Sequence, residues 1–397
     1  MTASDTATAL PTLDMDMSLS VEEAAARHAA SGLLTVDLDA IVANWRLLAG
    51  KSTPAECAAV VKADAYGCGA VPVATALAGA GCATFFVATL NEAKALRPAL
   101  REQAALYVLD GFFPHCGDVY AAIDARPVIG SLIELAEWDV FRRRSGWQGG
   151  AALHIDTGMN RLGVLPAEAE GLLPRLRQAD HGLTLVMSHL ACADTPEHPL
   201  NGRQAVAFRE IASRFTGIPA ALANSSGVFL GPAFHFDMVR PGAALYGVNP
   251  TPEADNPMQP AVGVEARIVQ IREVARGDTV GYGATWTARR PTRLAVVTAG
   301  YADGYFRAAG GVDGVRSAEA VVAGQRCPVA GRISMDLIAI DITELSDNAV
   351  RRGHMATLIG GGVTVDELAR HFGTIGYEVL TSLGRRYHRI YKPAAAA

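Results

Sequence analysis

The chain has 397 residues, half of them apolar, and carries 35 basic against 40 acidic side chains, a formal net charge of −5. This is the composition of a globular protein with room for two or three domains. It has no basic run to engage nucleic acid and no apolar run long enough to span a membrane.

The first residues, "MTASDTATALPTLDMDMS", hold Asp5, Asp14 and Asp16 and no basic n-region, so they do not read as a secretory signal. A cytoplasmic protein is expected. Residues 1–32 read as an extension, a partly disordered lead followed by a short helix over "SVEEAAARHAA". The six cysteines (Cys57, Cys68, Cys82, Cys116, Cys192 and Cys327) are scattered without metal-ligand spacing, as free or buried thiols of a reducing compartment are.

From Cys57 to about Gly242 short apolar runs alternate with helical patterns. The candidate strands are "CAAVVK", "CATFFVAT", "ALYVLD", "RPVIG", "AALHID", "LTLVMSH", "AALANS" and "DMVRPG". Between them lie helical segments such as "VPVATALAGAG", with Pro72 early and Gly81 at its end, "LIELAEWDVFRRR" and "RQAVAFREIASRF". Eight strand–helix units predict an α/β fold, a (β/α)₈ TIM-type barrel placed at 33–255. A doubly wound open sheet is the alternative, but no G-x-G-x-x-G follows the first strand.

Beyond Gly242 the segments "VEARIVQIREV", "RLAVVTAG", "EAVVAG", "CPVAG", "MDLIAIDIT" and "MATLIGG" are β-rich and punctuated by glycine. Only "TVDELARHFG" looks helical, with Thr364 and Glu367 in capping-box spacing. A C-terminal all-β domain is therefore expected over 256–397.

Working residues of such a barrel sit at the C-terminal ends of its strands. Read in order, those ends carry Lys62, the run Asp156 to Arg161, His189, Asn224 with Ser225, and Arg240 with Gly242. A lone strand-end lysine is usually a solvated strand end. Here it is joined by an imidazole, two guanidiniums and a hydroxyl. An amine nucleophile for a carbonyl, donors for a phosphate and an arginine for a ring atom suit pyridoxal phosphate, although such a set could also serve another anionic ligand.

The motifs "VVKADAYGCG", "HIDTGMNRLG", "SHLACAD", "ANSSG", "VRPGAALYG", "GYGATW", "GYADGY" and "GRISMD" occur in that order. From about Leu34 to Tyr391 the chain resembles the alanine racemase family, pyridoxal-phosphate enzymes of fold type III in which a barrel is fused to a β domain. The resemblance implies that Lys62 holds pyridoxal 5'-phosphate as an aldimine. Tyr66, Asn224, Ser225, Gly242 and Ala243 would lie around the cofactor, His189 would face its ring, and Arg240 would donate to its pyridine nitrogen. Arginine keeps its proton at any working pH, so the ring would stay a modest electron sink, which suits racemisation better than transamination.

Racemisation needs an acid–base group on each face of Cα. The resemblance assigns Lys62 to one face and Tyr282 of the β domain to the other, Arg161 and Met335 to the substrate carboxylate, and Tyr301 to the substrate entrance. It further implies a homodimer with shared sites, L- and D-alanine as the substrate pair, and a supply of D-alanine to cell-wall peptidoglycan. Alternatives on the same fold are a racemase of serine, lysine or another amino acid, and a non-catalytic cofactor-binding regulator, which resembles the barrel alone. Three departures stand out: Cys68 replaces a histidine, His154 replaces a lysine that many members carbamylate, and Tyr387 lies out of register with the last phosphate-binding tyrosine. A neutral His154 within reach of Arg161, with or without a bound anion, is expected; the plainer possibility is that it fills an inward layer of the barrel.

Overall fold

The computed structural model describes residues 20–176 and 182–392. The lead expected to be disordered lies outside them apart from its helix, which forms over Val21–Ala29 behind the N-cap Ser20.

All the expected barrel strands form and pair in parallel. The path runs from Glu56–Cys57 through Met238–Val239, Ala220–Ala221, Leu183–Met187, Ala151–His154, Arg126–Ile129, Ala105–Val108 and Thr84–Val87 to Ala59–Val60. Glu56–Cys57 and Ala59–Val60 are two halves of one strand around Ala58, so nine segments make eight strands and the ring closes. Ala58 itself donates to Val239 O across the seam.

Strands buried on both faces need apolar side chains on both faces. The inward set, including Ala58, Val60, Phe86, Ala152, Met187 and Met238, packs as a cluster of its own that fills the barrel. The outward set joins the helices, where Leu77, Trp138 and Phe208 are fully buried. The three helices singled out in the sequence form at Ala70–Gly79, Leu132–Ser145 and Pro199–Ala212; the last starts at Pro199, earlier than its apolar pattern suggests.

The second sheet is built on the long strand Val262–Val274, flanked by Gly32–Asp37, Met355–Ile359 and Thr292–Val297. Two features differ from expectation. Gly32–Asp37, assigned to the barrel from residue 33, pairs antiparallel with Val262–Val274 and parallel with His388–Lys392, so it belongs to the β domain's sheet. The β domain also contains a second helix, Gly376–Ser382, beside the expected Val365–Phe372. Thr364 caps the latter through Glu367 N, but the Glu367 carboxylate pairs with Arg326.

Candidate active site

Side chains two apart on a strand share a face. Continuing the inward parity of the barrel filling, Val60 leads to Lys62, Ala152 to His154, Met187 to His189 and Met238 to Arg240. Four nitrogen-bearing side chains thus cap the apolar filling at the C-terminal mouth. They act on one another: the His189 pKa is driven well below its ordinary value by burial first, then by Arg240, Arg161, His154 and Lys62. The Lys62 pKa is lowered, chiefly by burial and next by Arg161, with Glu92 and Asp110 pulling the other way. An amine so placed is a better nucleophile at neutral pH.

Arg240 is 4% exposed. Its Nη2 donates to Ser188 O and to Leu222 O, at 3.2 Å from the latter. Its Nε is buried without a partner, and no carboxylate pairs with it among the described residues. A buried guanidinium lacking an anion is costly. Burial brings its pKa down to about 10, which still leaves it charged at neutral pH.

After Lys62 the backbone turns the wrong way. Ala63, Asp64, Ala65 and Tyr66 have φ of 52°, 53°, 53° and 55°, four consecutive left-handed residues without a glycine. Each costs roughly 1–2 kcal/mol, so neighbours must hold the turn. Glu92 Oε1 accepts from Ala63 N at 2.7 Å, and Asp64 Oδ1 accepts from Ala70 N at 2.8 Å. Arg389 donates to Gly67 O through Nη2 at 3.1 Å. The turn stacks Tyr66 on Tyr246 at 4.8 Å and brings its hydroxyl over Gly242, where any Cβ would run into it.

Ser225 Oγ accepts from Gly242 N at 3.0 Å and Ala244 N at 3.2 Å, drawing the turn around Gly242 and Ala243 against the strand end after Ala220–Ala221. Lys62, Tyr66, Ser225, Arg240, Gly242 and Ala243 therefore converge on one mouth. Asn224 adjoins them, and its Oδ1 accepts from Gly227 N, capping the next turn. This set fits pyridoxal phosphate: an amine of lowered pKa, a serine–glycine cradle, and an orphaned buried donor at Arg240 Nε.

Residues 36–250 match the family model of the alanine racemase N-terminal domain, and residues 261–391 that of the alanine racemase C-terminal domain. The chain belongs to the alanine racemase family. It is 53% identical to an alanine racemase of Methylobacterium nodulans over 90% of this chain and 95% of that one. Agrobacterium fabrum has relatives of two kinds, each 45% identical: a catabolic alanine racemase (95% of this chain, 96% of that one) and a biosynthetic one (90% and 93%). The alanine racemase of Bartonella henselae, crystallised with covalently bound pyridoxal phosphate, superimposes with a TM-score of 0.84 at 38% identity, covering 91% of this chain and all of that one.

Within that racemase frame the departures acquire surroundings. The Cys68 thiol is buried and its pKa is pushed up to about 12, which keeps it protonated and inert. Tyr387 is buried beside Gly32 in the β domain; Tyr391 is the C-terminal tyrosine whose hydroxyl reaches the turn after Lys62, against Gly69.

His154 is 9% exposed, and burial, then Arg240 and Arg161, bring its pKa from an ordinary 6.5 down to about 4. It is neutral at physiological pH and sits on the inward face. Arg161 acts on it through space, with no hydrogen bond between them among the described residues. The folded pKa is the depressed one. Its contribution to stability is therefore complete above pH 6.5 and declines as pH falls towards 4, by at most about 3 kcal/mol. The stability of His154→Leu, measured by denaturant unfolding at pH 7 and pH 4.5, should fall less between those pH values than that of the wild type. An equal fall would mean that His154 takes up its proton in the fold as readily as out of it.

The residues expected from the β domain do not join the mouth of their own chain. Tyr282, Tyr301 and Met335 are 68%, 44% and 52% exposed. They lie on neighbouring loops: Tyr301 N donates to Ser334 O and Ala302 N to Met335 O, while Gly281 and Gly283 lie against Arg332. Arg161 is exposed at the barrel mouth beside Leu162. Sequence reasoning missed Glu92, although "TLNE" spells a capping box, and both halves of it form.

Proposed function

We propose that this chain interconverts L-alanine and D-alanine with pyridoxal 5'-phosphate bound at Lys62, working as a homodimer in the cytoplasm. The observation that carries the reading is the cationic mouth: a lysine of lowered pKa facing a buried arginine that pairs with no carboxylate among the described residues. Such a mouth favours a ligand bearing a phosphate and a carboxylate. The Bartonella henselae relative carries covalently bound pyridoxal phosphate, which supports the same cofactor here.

When bound, the cofactor would supply an electron-withdrawing group that acidifies the Cα–H of the amino acid. The protein's own residues would do the rest. Ser225, Tyr66 and the turn at Gly242 and Ala243 would hold the phosphate. Arg240 Nε would donate to a ring acceptor and keep its own proton. His189, neutral and facing Lys62 and Arg240, would add no competing charge. Arg161 would hold the substrate carboxylate, with Met335 contributing backbone. Lys62 Nζ would exchange a proton with one face of Cα, and the Tyr282 phenol with the other.

Exposure supports the dimer. Tyr282, Tyr301 and Met335 stand out on the β domain, while Leu162 and Leu165, 54% and 55% exposed, flank Arg161 on the barrel. A second copy would cover both apolar surfaces and complete each mouth. The biological role would be supply of D-alanine to peptidoglycan, tested by growth of a D-alanine auxotroph carrying this gene.

The decisive measurement is loss of optical activity across a panel of L-amino acids with pyridoxal phosphate added. Alanine should racemise fastest; preference for serine or lysine would reassign the substrate. Borohydride should fix the cofactor to the peptide containing Lys62 and abolish activity. Labelling of any other lysine would unseat that assignment.

A further inference from the structure

The C-terminal stretch "LGRRY" contributes no residue to the mouth, yet its Arg386 pairs with two carboxylates from separate loops. Asp303 is fully buried in the turn that follows Tyr301. Arg386 grips it with both arms, Nε to Oδ1 at 2.7 Å and Nη2 to Oδ2 at 2.6 Å. Its remaining nitrogen, Nη1, donates to Asp336 Oδ1 at 2.7 Å. Asp336 follows Met335 directly. One guanidinium therefore spans two loops, one bearing Tyr301 and the other Met335.

The other bonds around Asp303 make the grip rigid. Its carboxylate also accepts from Ser31 Oγ at 3.1 Å and Gly300 N at 3.0 Å, and its carbonyl accepts from Gly384 N at 3.0 Å. The two loops are also joined by backbone bonds, Tyr301 N to Ser334 O and Ala302 N to Met335 O, both 3.1 Å. Gly300 has no space for a side chain against Met335 O. A planar fork with fixed donor directions suits this bridging task, which a lysine's point charge could not reproduce.

We infer that Arg386 is a positioning residue: it fixes the separation of Tyr301 and Met335 and so the width of the opening these two residues form for the amino acid. This rests on the reading that Tyr301 and Met335 face the substrate. Arg386 itself would touch neither substrate nor cofactor. Loosening the bridge should weaken capture of the amino acid while leaving the chemistry at Lys62 intact, a rise in KM with kcat preserved.

The test uses full-length Arg386→Gln and Asp336→Asn. Asp336 is exposed, and its variant leaves the buried Asp303 pair in place, so it folds even if Arg386→Gln does not. Without added cofactor, hydrogen exchange read by mass spectrometry should quicken about tenfold over 300–304 and 334–337 in Arg386→Gln, and over 334–337 alone in Asp336→Asn. With cofactor, KM for alanine should rise about tenfold and about threefold respectively, with kcat within twofold and the cofactor's absorption spectrum unchanged. Unchanged exchange in both segments would overturn the inference. So would loss of kcat and cofactor together at constant KM, which marks a general structural role. If the wild type racemised nothing, the proposed function would fall, and the exchange measurement would still judge the bridge.

Discussion

Tyr282→Phe is expected to keep the cofactor and lose about 10²–10⁴-fold of its racemisation rate, the usual worth of a positioned acid–base group. The change deletes one oxygen from a side chain that is 68% exposed within its own chain, so subunit stability should hardly move. The discriminating result is asymmetric. On the proposed roles Lys62 would still serve its face of Cα, so the enantiomer whose proton points at Lys62 should continue to exchange that proton with deuterated solvent without inverting. The other enantiomer should cease exchanging. Proton NMR of L- and D-alanine incubated separately in deuterium oxide reads both rates. Equal losses for the two enantiomers would argue against a tyrosine base and leave Lys62 working both faces.

The barrel was legible because strands buried on both faces appear as unbroken apolar runs, and "ALYVLD" and "LTLVMSH" could hardly be anything else. Their inward parity then places Lys62, His154, His189 and Arg240 together, a step that needs only period two. The strand Gly32–Asp37 was harder. Its alternating burial is plain, but the sheet it joins is decided by partners more than two hundred residues away, Val262–Val274 and His388–Lys392. The helix Gly376–Ser382 escaped because it is short and begins at glycine, without a side-chain cap.

The turn after Lys62 was illegible for a different reason. Left-handed backbone is normally announced by glycine or asparagine, and "ADAY" has neither. Its conformation is held from outside by Glu92 and Arg389, with the turn's own Asp64 tying it to the helix that follows. The function of Arg386 was equally hidden, since its two carboxylates come from separate motifs that meet only in the folded β domain. Tertiary contacts of this kind leave no local pattern to read.

Mixing inactive Lys62→Ala and Tyr282→Ala subunits should restore activity to about a quarter of the wild-type value, on statistical pairing in a two-fold dimer. Each parent should be dead for its own reason: on the proposed roles Lys62→Ala would lack the amine that holds the cofactor, and Tyr282→Ala the acid–base group for the opposite face. Random exchange makes about half of the dimers mixed. In a mixed dimer one mouth receives both defects and the other receives neither, provided Tyr282 acts on the partner's barrel. Half of the dimers with half of their sites intact gives the quarter. If Tyr282 instead served the mouth of its own chain, every site in the mixture would carry one defect and the activity would stay at the level of the parents. Exchange must be verified independently, for instance by native mass spectrometry of subunits differing in a tag. A mixture that forms heterodimers yet remains inactive would overturn the shared site. A mixture that never exchanges, with a monomeric mass for each parent, would overturn the dimer itself. Two features of the isolated chain favour restored activity. The groups acting on Lys62 are Arg161, Glu92, Asp110 and Arg240, all from the barrel, while Tyr282 stands exposed on the β domain with its ring free to enter another molecule.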